Sequence, residues 1–351
     1  MRTIDWVDGA VELIDQTLLP ERVEVLRLRT VADLVAAVRR LAVRGAPALG
    51  VAGALGVALA AYTEPGPEAV RAAAESLRRA RPTAVNLAWG VDQAAALLPE
   101  GPDAVLRRAL AIRDDDVEAC LSMGEYGADL LAGLTGTRPL TVMTVCNTGG
   151  LAAVERGTAL GVAQTLHERG LLAEALALET RPLLQGARLT AWELARMGAP
   201  HRLVVDSAGP FLLARGHADA VLIGADRIAA DGDTANKVGS YALALGARRA
   251  GVPFVVVAPE TTIDMATPTG AGIEIEDRDA EEVVTLRGHR LAPEGTGALN
   301  PAFDVTPHDL ITAIVTDRRV IRLDKGESLA SVPPARAAPA LPNGYRPRLC
   351  R

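Results

Sequence analysis

With 351 residues the chain is long enough for two domains, and its apolar content supplies material for real cores. Its formal net charge of −6, with basic residues scattered among acidic ones, argues against a nucleic-acid surface. Cys120, Cys146 and Cys350 show no CxxC spacing, which argues against a disulfide framework or a cysteine zinc site and fits a reducing cytoplasm.

The N-terminus carries Asp5, Asp8 and Glu12 where a signal peptide needs a basic end and an apolar core. Up to about Leu134 the periodicity predicts helices over Val31 to Ala42, Pro67 to Ala80, Asn86 to Leu98, Pro102 to Arg113 and Val117 to Leu134, with few strands between them. The apolar run Ala46 to Ala61 is interrupted by glycines and reads as too short to cross a bilayer. Just before it, Arg44-Gly45-Ala46-Pro47 resembles a helix entry. Gly45 permits close backbone approach, and Arg44 adds charge to a helix N-terminus that favours an anion. Close packing of small residues explains the same segment without any ligand.

From Leu140 the pattern changes to short β-branched runs alternating with helices: Leu140 to Val145, Leu171 to Leu178, Leu203 to Asp206, Ala220 to Ile223, Val252 to Val257 and Val320 to Leu323. That alternation predicts a parallel sheet covered by helices. Cys146-Asn147-Thr148-Gly149-Gly150 follows the first strand, ahead of a helix expected near Leu151, a position that lowers a thiol pKa. Most isolated cysteines are small core residues, so the polar and glycine neighbours carry the functional reading.

The segment from Glu179 to Glu193 crowds two arginines, two carboxylates and Gln185 into an expected strand-to-helix turn, with a helix read over Leu189 to Met197. Arg181 or Arg188 suits bidentate contact with an anion and Gln185 suits a hydroxyl, while an ion-paired helix start accounts for the cluster equally well. Gly224-Ala225-Asp226-Arg227 places a carboxylate at a buried strand's end, where it serves either as a general acid or as a cap or partner of Arg227. Asp231 to Gly239 reads as a polar turn leading into a helix Ser240 to Ala250, with Asn236 and Lys237 near its start. It matches neither a P-loop nor an EF-hand. The domains are therefore expected at 1–135 (mainly helical), 136–325 (parallel sheet) and 326–351 (a flexible tail).

Seven motifs join these segments: Arg44 to Gly50, Arg81 to Leu87, Cys146 to Gly149, Glu179 to Arg188, Gly224 to Ile228, Asn236-Lys237 and Asn300 to Pro307. In this order and spacing, from about Trp6 to Leu323, the chain resembles the methylthioribose-1-phosphate isomerases, which share their fold with regulatory subunits of translation initiation factor 2B. The resemblance implies an α/β protein with a Rossmann-like C-terminal domain, a smaller helical N-terminal domain and a homodimer. It implies a cytoplasmic sugar-phosphate isomerase of methionine salvage that needs neither metal nor cofactor and binds neither nucleic acid nor membrane. By the same resemblance Cys146 and Asp226 are catalytic, while Arg44, Gly45, Ala46, Arg81, Gln185, Asn236 and Lys237 bind substrate. Val145, Gly150 and Leu178 depart from the residues usual in the family, where they bear on pocket polarity. Two related activities, on 5-deoxyribose-1-phosphate and ribose-1,5-bisphosphate, and the non-catalytic regulatory role are the alternatives.

Overall fold

The computed structural model describes residues 2–81, 84–136 and 138–334. Pro82 and Thr83 of the Arg81 motif, Cys350 and all but the first residues of the expected tail lie outside them. The chain forms two compact units. Among the described residues, the first comprises those up to Leu121 together with Thr148–Gly157, and the second comprises Ser122–Asn147 and residues 158–334.

The first unit begins with an antiparallel meander of β1 (Ile4–Val7), β2 (Ala10–Ile14) and β3 (Val25–Leu28), with Ile4 opposite Leu13 and Val11 opposite Leu28. Asp8 and Gly9 close the first hairpin with φ of 43° and 74°, as a two-residue turn between right-twisted strands requires. Helices α1 (Val31–Arg39), α2 (Ala46–Thr63), α3 (Pro67–Arg78) and α4 (Val85–Ala95) follow, and then α5 (Pro102–Thr135). The last is one continuous helix where two were expected, because nothing around Asp114 to Asp116 breaks it.

The glycines of α2 do not interrupt it. It runs for 18 residues, long and apolar enough by length and composition to cross a membrane, yet 72% of it is buried inside the protein. The expectation that it is too short is thus corrected, and its apolar character is explained by core packing. Its glycines serve close approach to α4: a Cβ on Gly90 would sit 1.9 Å from the Gly50 carbonyl oxygen, and one on Gly53 would sit 2.6 Å from that of Leu87.

In the second unit the elements run β4 (Leu140–Thr144), α6 (Ala159–Glu168), β5 (Leu172–Leu178), α7 (Ala191–Met197), β6 (His201–Val204), α8 (Gly209–Ala214) and β7 (Ala220–Ile223). They continue with β8 (Arg227–Ala229), β9 (Thr234–Lys237), α9 (Ser240–Ala250), β10 (Phe254–Val257) and β11 (Ile263–Asp264). After α10 (Glu281–Val284) come a hairpin of β12 (Thr285–Leu286) and β13 (His289–Arg290), then β14 (Phe303–Thr306), β15 (Ala313–Val315) and β16 (Val320–Ile321).

Seven strands form the main sheet in the order β16-β15-β10-β7-β4-β5-β6. All pair in parallel except β16, which runs antiparallel to β15. The chain enters at β4, steps outward through β5 to β6, and returns to the other side of β4 with β7, so the order turns back between β4 and β7. Met143, Leu176, Val221, Ile223, Phe254 and Val256 belong to its core. A second sheet, β11-β8-β9-β14, branches from the chain directly after β7. The polar turn expected over Asp231 to Gly239 is thus corrected, since Thr234–Lys237 is the strand β9.

Candidate active site

Open α/β sheets bind ligands outside the carboxyl ends of their strands, where the strand order reverses. Here that edge carries Cys146 after β4, the Glu179 to Gln185 loop after β5 and Asp226 after β7, and these three strands are neighbours. Three of the sequence candidates are therefore collected at one edge of one sheet.

Cys146 is 8% exposed and holds φ at +67°, a left-handed conformation uncommon for a side chain with a Cβ. No helix begins beside it. Gly150–Ala152 forms only a 3-10 turn, and the next helix is α6, starting at Ala159. The expected helix near Leu151 is thus corrected; the glycines of the segment favour turns over helix. Instead, the backbone of Cys146 is held by side chains. Its N–H donates to Thr180 Oγ1 at 2.8 Å, and its carbonyl accepts from Thr190 Oγ1 at 2.6 Å. The buried Asn147 donates through Nδ2 to Glu193 Oε2 at 2.5 Å and to Thr190 Oγ1 at 3.3 Å.

The loop after β5 is equally constrained. Thr180 (φ +66°) and Leu184 (φ +57°) are left-handed, and the chain re-enters helix through a π-helical turn, Gly186–Thr190, earlier than the expected Leu189. A Cβ on Gly186 would fall 1.6 Å from the Leu178 carbonyl oxygen, so only glycine lets the turn close back on the strand. The two arginines brace this loop: Arg181 donates to the carbonyls of Pro182 and Val283, and Arg188 to that of Leu183. Gln185 differs from them. It is 5% exposed and its Oε1 has no hydrogen-bond partner, an open acceptor in a place where buried polar atoms are normally satisfied.

Asp226 is half-buried, and its N–H donates to the Ala235 carbonyl at 2.9 Å, continuing the β8–β9 ladder in which Arg227 faces Ala235. The register therefore sets Asp226 opposite Asn236, and Asp304 of β14 faces Asn236 from the other side. Asn236 and Lys237 lie on a strand, not in a turn, and both are buried. Asn236 donates to Ser240 Oγ at 2.8 Å, while Lys237 donates to the Ala302 carbonyl at 2.7 Å with its ammonium 4.8 Å from the centre of the Phe303 ring.

Asp304, which carried no expected role, sits at the N-terminus of α9: its oxygens accept from Gly239 N at 2.7 Å and Tyr241 N at 3.1 Å. No local signal could have linked Asp304 to Gly239, since the contact is made by strand pairing.

Burial pushes the Asp304 carboxyl up to about 6 from its ordinary 3.8. A raised acid favours folding in its protonated form, so its contribution is fully present below the ordinary carboxylate range and is lost as pH rises through about 6. Relative to Asp304→Asn, the wild type is expected to lose roughly 2 to 3 kcal/mol of stability between about pH 4 and pH 7. Urea unfolding of both proteins across that range checks this, and a pH-independent difference would contradict it.

In the first unit, Gly45 caps α2 with φ +93°, and a Cβ there would lie 2.4 Å from the Ala152 carbonyl oxygen. Arg44 and Ala46 flank it, both half-buried, with Pro47 in the second helical position. Arg81 stands in the bend after α3, beside Pro82 and Thr83, which lie outside the described residues. The Thr148–Gly157 strip is closed by a bridge between Gly149 and Gly157 and fastened by Thr3 N to Val154 O at 2.8 Å, Gln16 Nε2 to Leu151 O at 2.6 Å and Val154 N to Asp116 at 2.9 Å. Burial pushes the Asp116 carboxyl up to about 7, so one fastening of the strip changes charge near neutrality.

Asp231, Asp233 and His308 bring three metal-capable side chains together. The Asp233 carboxylate there already accepts from the Gly270 and His308 amides and faces the His308 ring at 2.8 Å, which explains the cluster as a loop brace.

The initiation factor 2 subunit family matches residues 42–322. A probable bifunctional methylthioribose-1-phosphate isomerase/methylthioribulose-1-phosphate dehydratase of Nocardia farcinica is 51% identical over 96% of this chain, which spans 62% of that protein's length. A methylthioribose-1-phosphate isomerase of Anaeromyxobacter sp. (strain K) is 52% identical over 93% of this chain and 95% of its own. A 5-deoxyribose 1-phosphate isomerase of Moorella thermoacetica is 48% identical over 94% and 96%, respectively.

Among solved structures, 5-methylthioribose 1-phosphate isomerase from Pyrococcus horikoshii has a TM-score of 0.85 at 41% identity, covering 92% of each chain. A chain from A. fulgidus described as translation initiation factor eIF-2B, subunit delta, has a TM-score of 0.82 at 43% identity, covering 92% of this chain and 96% of that one. With a family match across most of its length and isomerases among full-length relatives near 50% identity, the chain belongs to the initiation factor 2 subunit family, among its sugar-phosphate isomerases.

Proposed function

We infer that the protein converts 5-methylthioribose-1-phosphate to 5-methylthioribulose-1-phosphate in methionine salvage, using Asp226 and Cys146 of a Rossmann-like unit and working as a cytoplasmic homodimer. The observation that carries this reading is the placement of Cys146 and Asp226 after the adjacent strands β4 and β7, where the strand order turns back.

A phosphate on C1 locks the sugar as a cyclic acetal, so the ring must open without an ordinary free aldehyde. Asp226, half-buried at the sheet's edge, supplies the proton to the ring oxygen and leaves the C4 hydroxyl. Hydrogen then passes from C2 to C1 while the C2 hydroxyl gives up its proton, producing the ketone; Cys146 supports this transfer. The open Gln185 Oε1 accepts from a sugar hydroxyl. Lys237 and Arg44 supply charge for the phosphate, with Arg81, Gly45, Ala46 and Asn236 completing the binding set.

The chain named as an initiation-factor subunit at 43% identity motivates a second reading, a non-catalytic module. A coupled assay with three sugar phosphates separates the readings. The methylthio substrate is expected to have the highest kcat/KM, with the 5-deoxy analogue still turned over, since losing a small apolar group is worth only about 1 to 3 kcal/mol. Ribose-1,5-bisphosphate should be poor, because its second phosphate enters a position expected to be apolar. Bisphosphate turnover at or above the methylthio rate overturns the substrate assignment, and no turnover of any of the three favours the module.

A further inference from the structure

We propose that Thr180 and Thr190 are positioning residues that set the direction of the Cys146 thiol. This rests on the reading of Cys146 as a catalytic group, but its geometry stands apart from that reading. A left-handed residue with a Cβ relaxes readily to other backbone conformations unless its surroundings hold it. Cys146 is held at both peptide groups by hydroxyls that are each 1% exposed at their residues, where water does not substitute for them.

The direction of each bond is fixed. The Thr180 hydroxyl donates to the Leu178 carbonyl at 3.0 Å, which leaves its lone pairs to accept from Cys146 N. The Thr190 hydroxyl donates to the Cys146 carbonyl, and its lone pair faces Asn147 Nδ2. Thr180 is anchored in turn by Asp206, whose two oxygens accept the N–H groups of Thr180 and Arg181, both at 2.7 Å. The segment carrying the thiol, just after β4, is thereby tied to the loop after β5 and to the start of α7. Because φ and ψ of Cys146 fix its Cα–Cβ direction, a small rotation carries Sγ away from the reacting carbons, and about 1 Å of misplacement costs on the order of a hundredfold in rate.

The test compares Thr190→Val, which keeps shape and removes the donor, with Thr190→Ser, which keeps it. Thr190→Val is expected to lower kcat by roughly ten- to a hundredfold with KM within about threefold, and Thr190→Ser to restore most of it. Iodoacetamide labelling followed by mass spectrometry reads the clamp without reference to catalysis: Cys146 should react several-fold faster in Thr190→Val than in wild type or Thr190→Ser, with Cys120 unchanged. If Thr190→Val does not fold, Thr180→Val and the milder Asp206→Asn carry the same comparison.

Unchanged kcat and unchanged Cys146 labelling in folded valine variants overturn the proposal. Cys146→Ala separates the two levels. Should it retain turnover, the catalytic reading of Cys146 fails, and the labelling rates alone decide the clamp; should it be inactive while the valine variants keep full kcat and wild-type labelling, only the clamp fails.

Discussion

Asp226→Asn is expected to lower kcat by at least about a hundredfold, the lower range of general acid catalysis, while KM changes little. Asparagine matches the size of aspartate, and the backbone bond from residue 226 to the Ala235 carbonyl does not depend on the side chain, so the β8–β9 ladder should persist. What the amide cannot do is release a proton to a ring oxygen. Steady-state kinetics on methylthioribose-1-phosphate, with thermal unfolding as a control for folding, measures this. A variant with near-wild-type turnover at saturating substrate removes Asp226 from the chemistry.

The largest expected effect on stability comes from Gly90→Ala. Its new Cβ would lie 1.9 Å from the Gly50 oxygen and 2.8 Å from the carbonyl carbon, so two helix backbones must separate to admit one methyl group. Overpacking of side chains costs about 1 to 3 kcal/mol, and backbone has fewer ways to yield, so a loss of about 3 kcal/mol or more is expected. Gly133→Ala on the exposed face of α5 meets nothing within 4 Å and should instead stabilise by roughly 0.5 to 1 kcal/mol through helix propensity. Denaturant unfolding of the two variants measures opposite signs for the same substitution, and a mild effect at Gly90 would mean that α2 and α4 do not cross there.

Several parallel strands were legible as short apolar runs, and Ala220–Ile223 matches its expected bounds, whereas β15 was not expected and the strand expected over Val320 to Leu323 is the antiparallel edge β16. The candidate residues of the second unit were legible for a related reason: polar residues placed directly after such runs fall at the sheet's edge. The first hairpin carried a readable signal that was passed over, since Asp8-Gly9 between alternating runs is the usual mark of a two-residue turn. The β8, β9 and β14 strands were not readable in the same way. Asn236 and Lys237 are polar yet buried, because their partners Ser240, Ala302 and Phe303 come from later chain. Asp304 meets its amides only through strand register, which no local window contains.

The discontinuity of the first unit has a consequence for synthesis on the ribosome. Thr3, Gln16, Gly45 and Asp116 all lean on the Thr148–Gly157 strip, which is translated after Leu121. N-terminal domains commonly fold first as a chain emerges. Here the first unit emerges without the strip that satisfies its own backbone and side-chain groups, and it cannot finish folding until Gly157 has been made. The order of folding is thereby coupled to the order of translation, and a nascent chain paused within β4 carries a helical bundle whose last piece has yet to arrive.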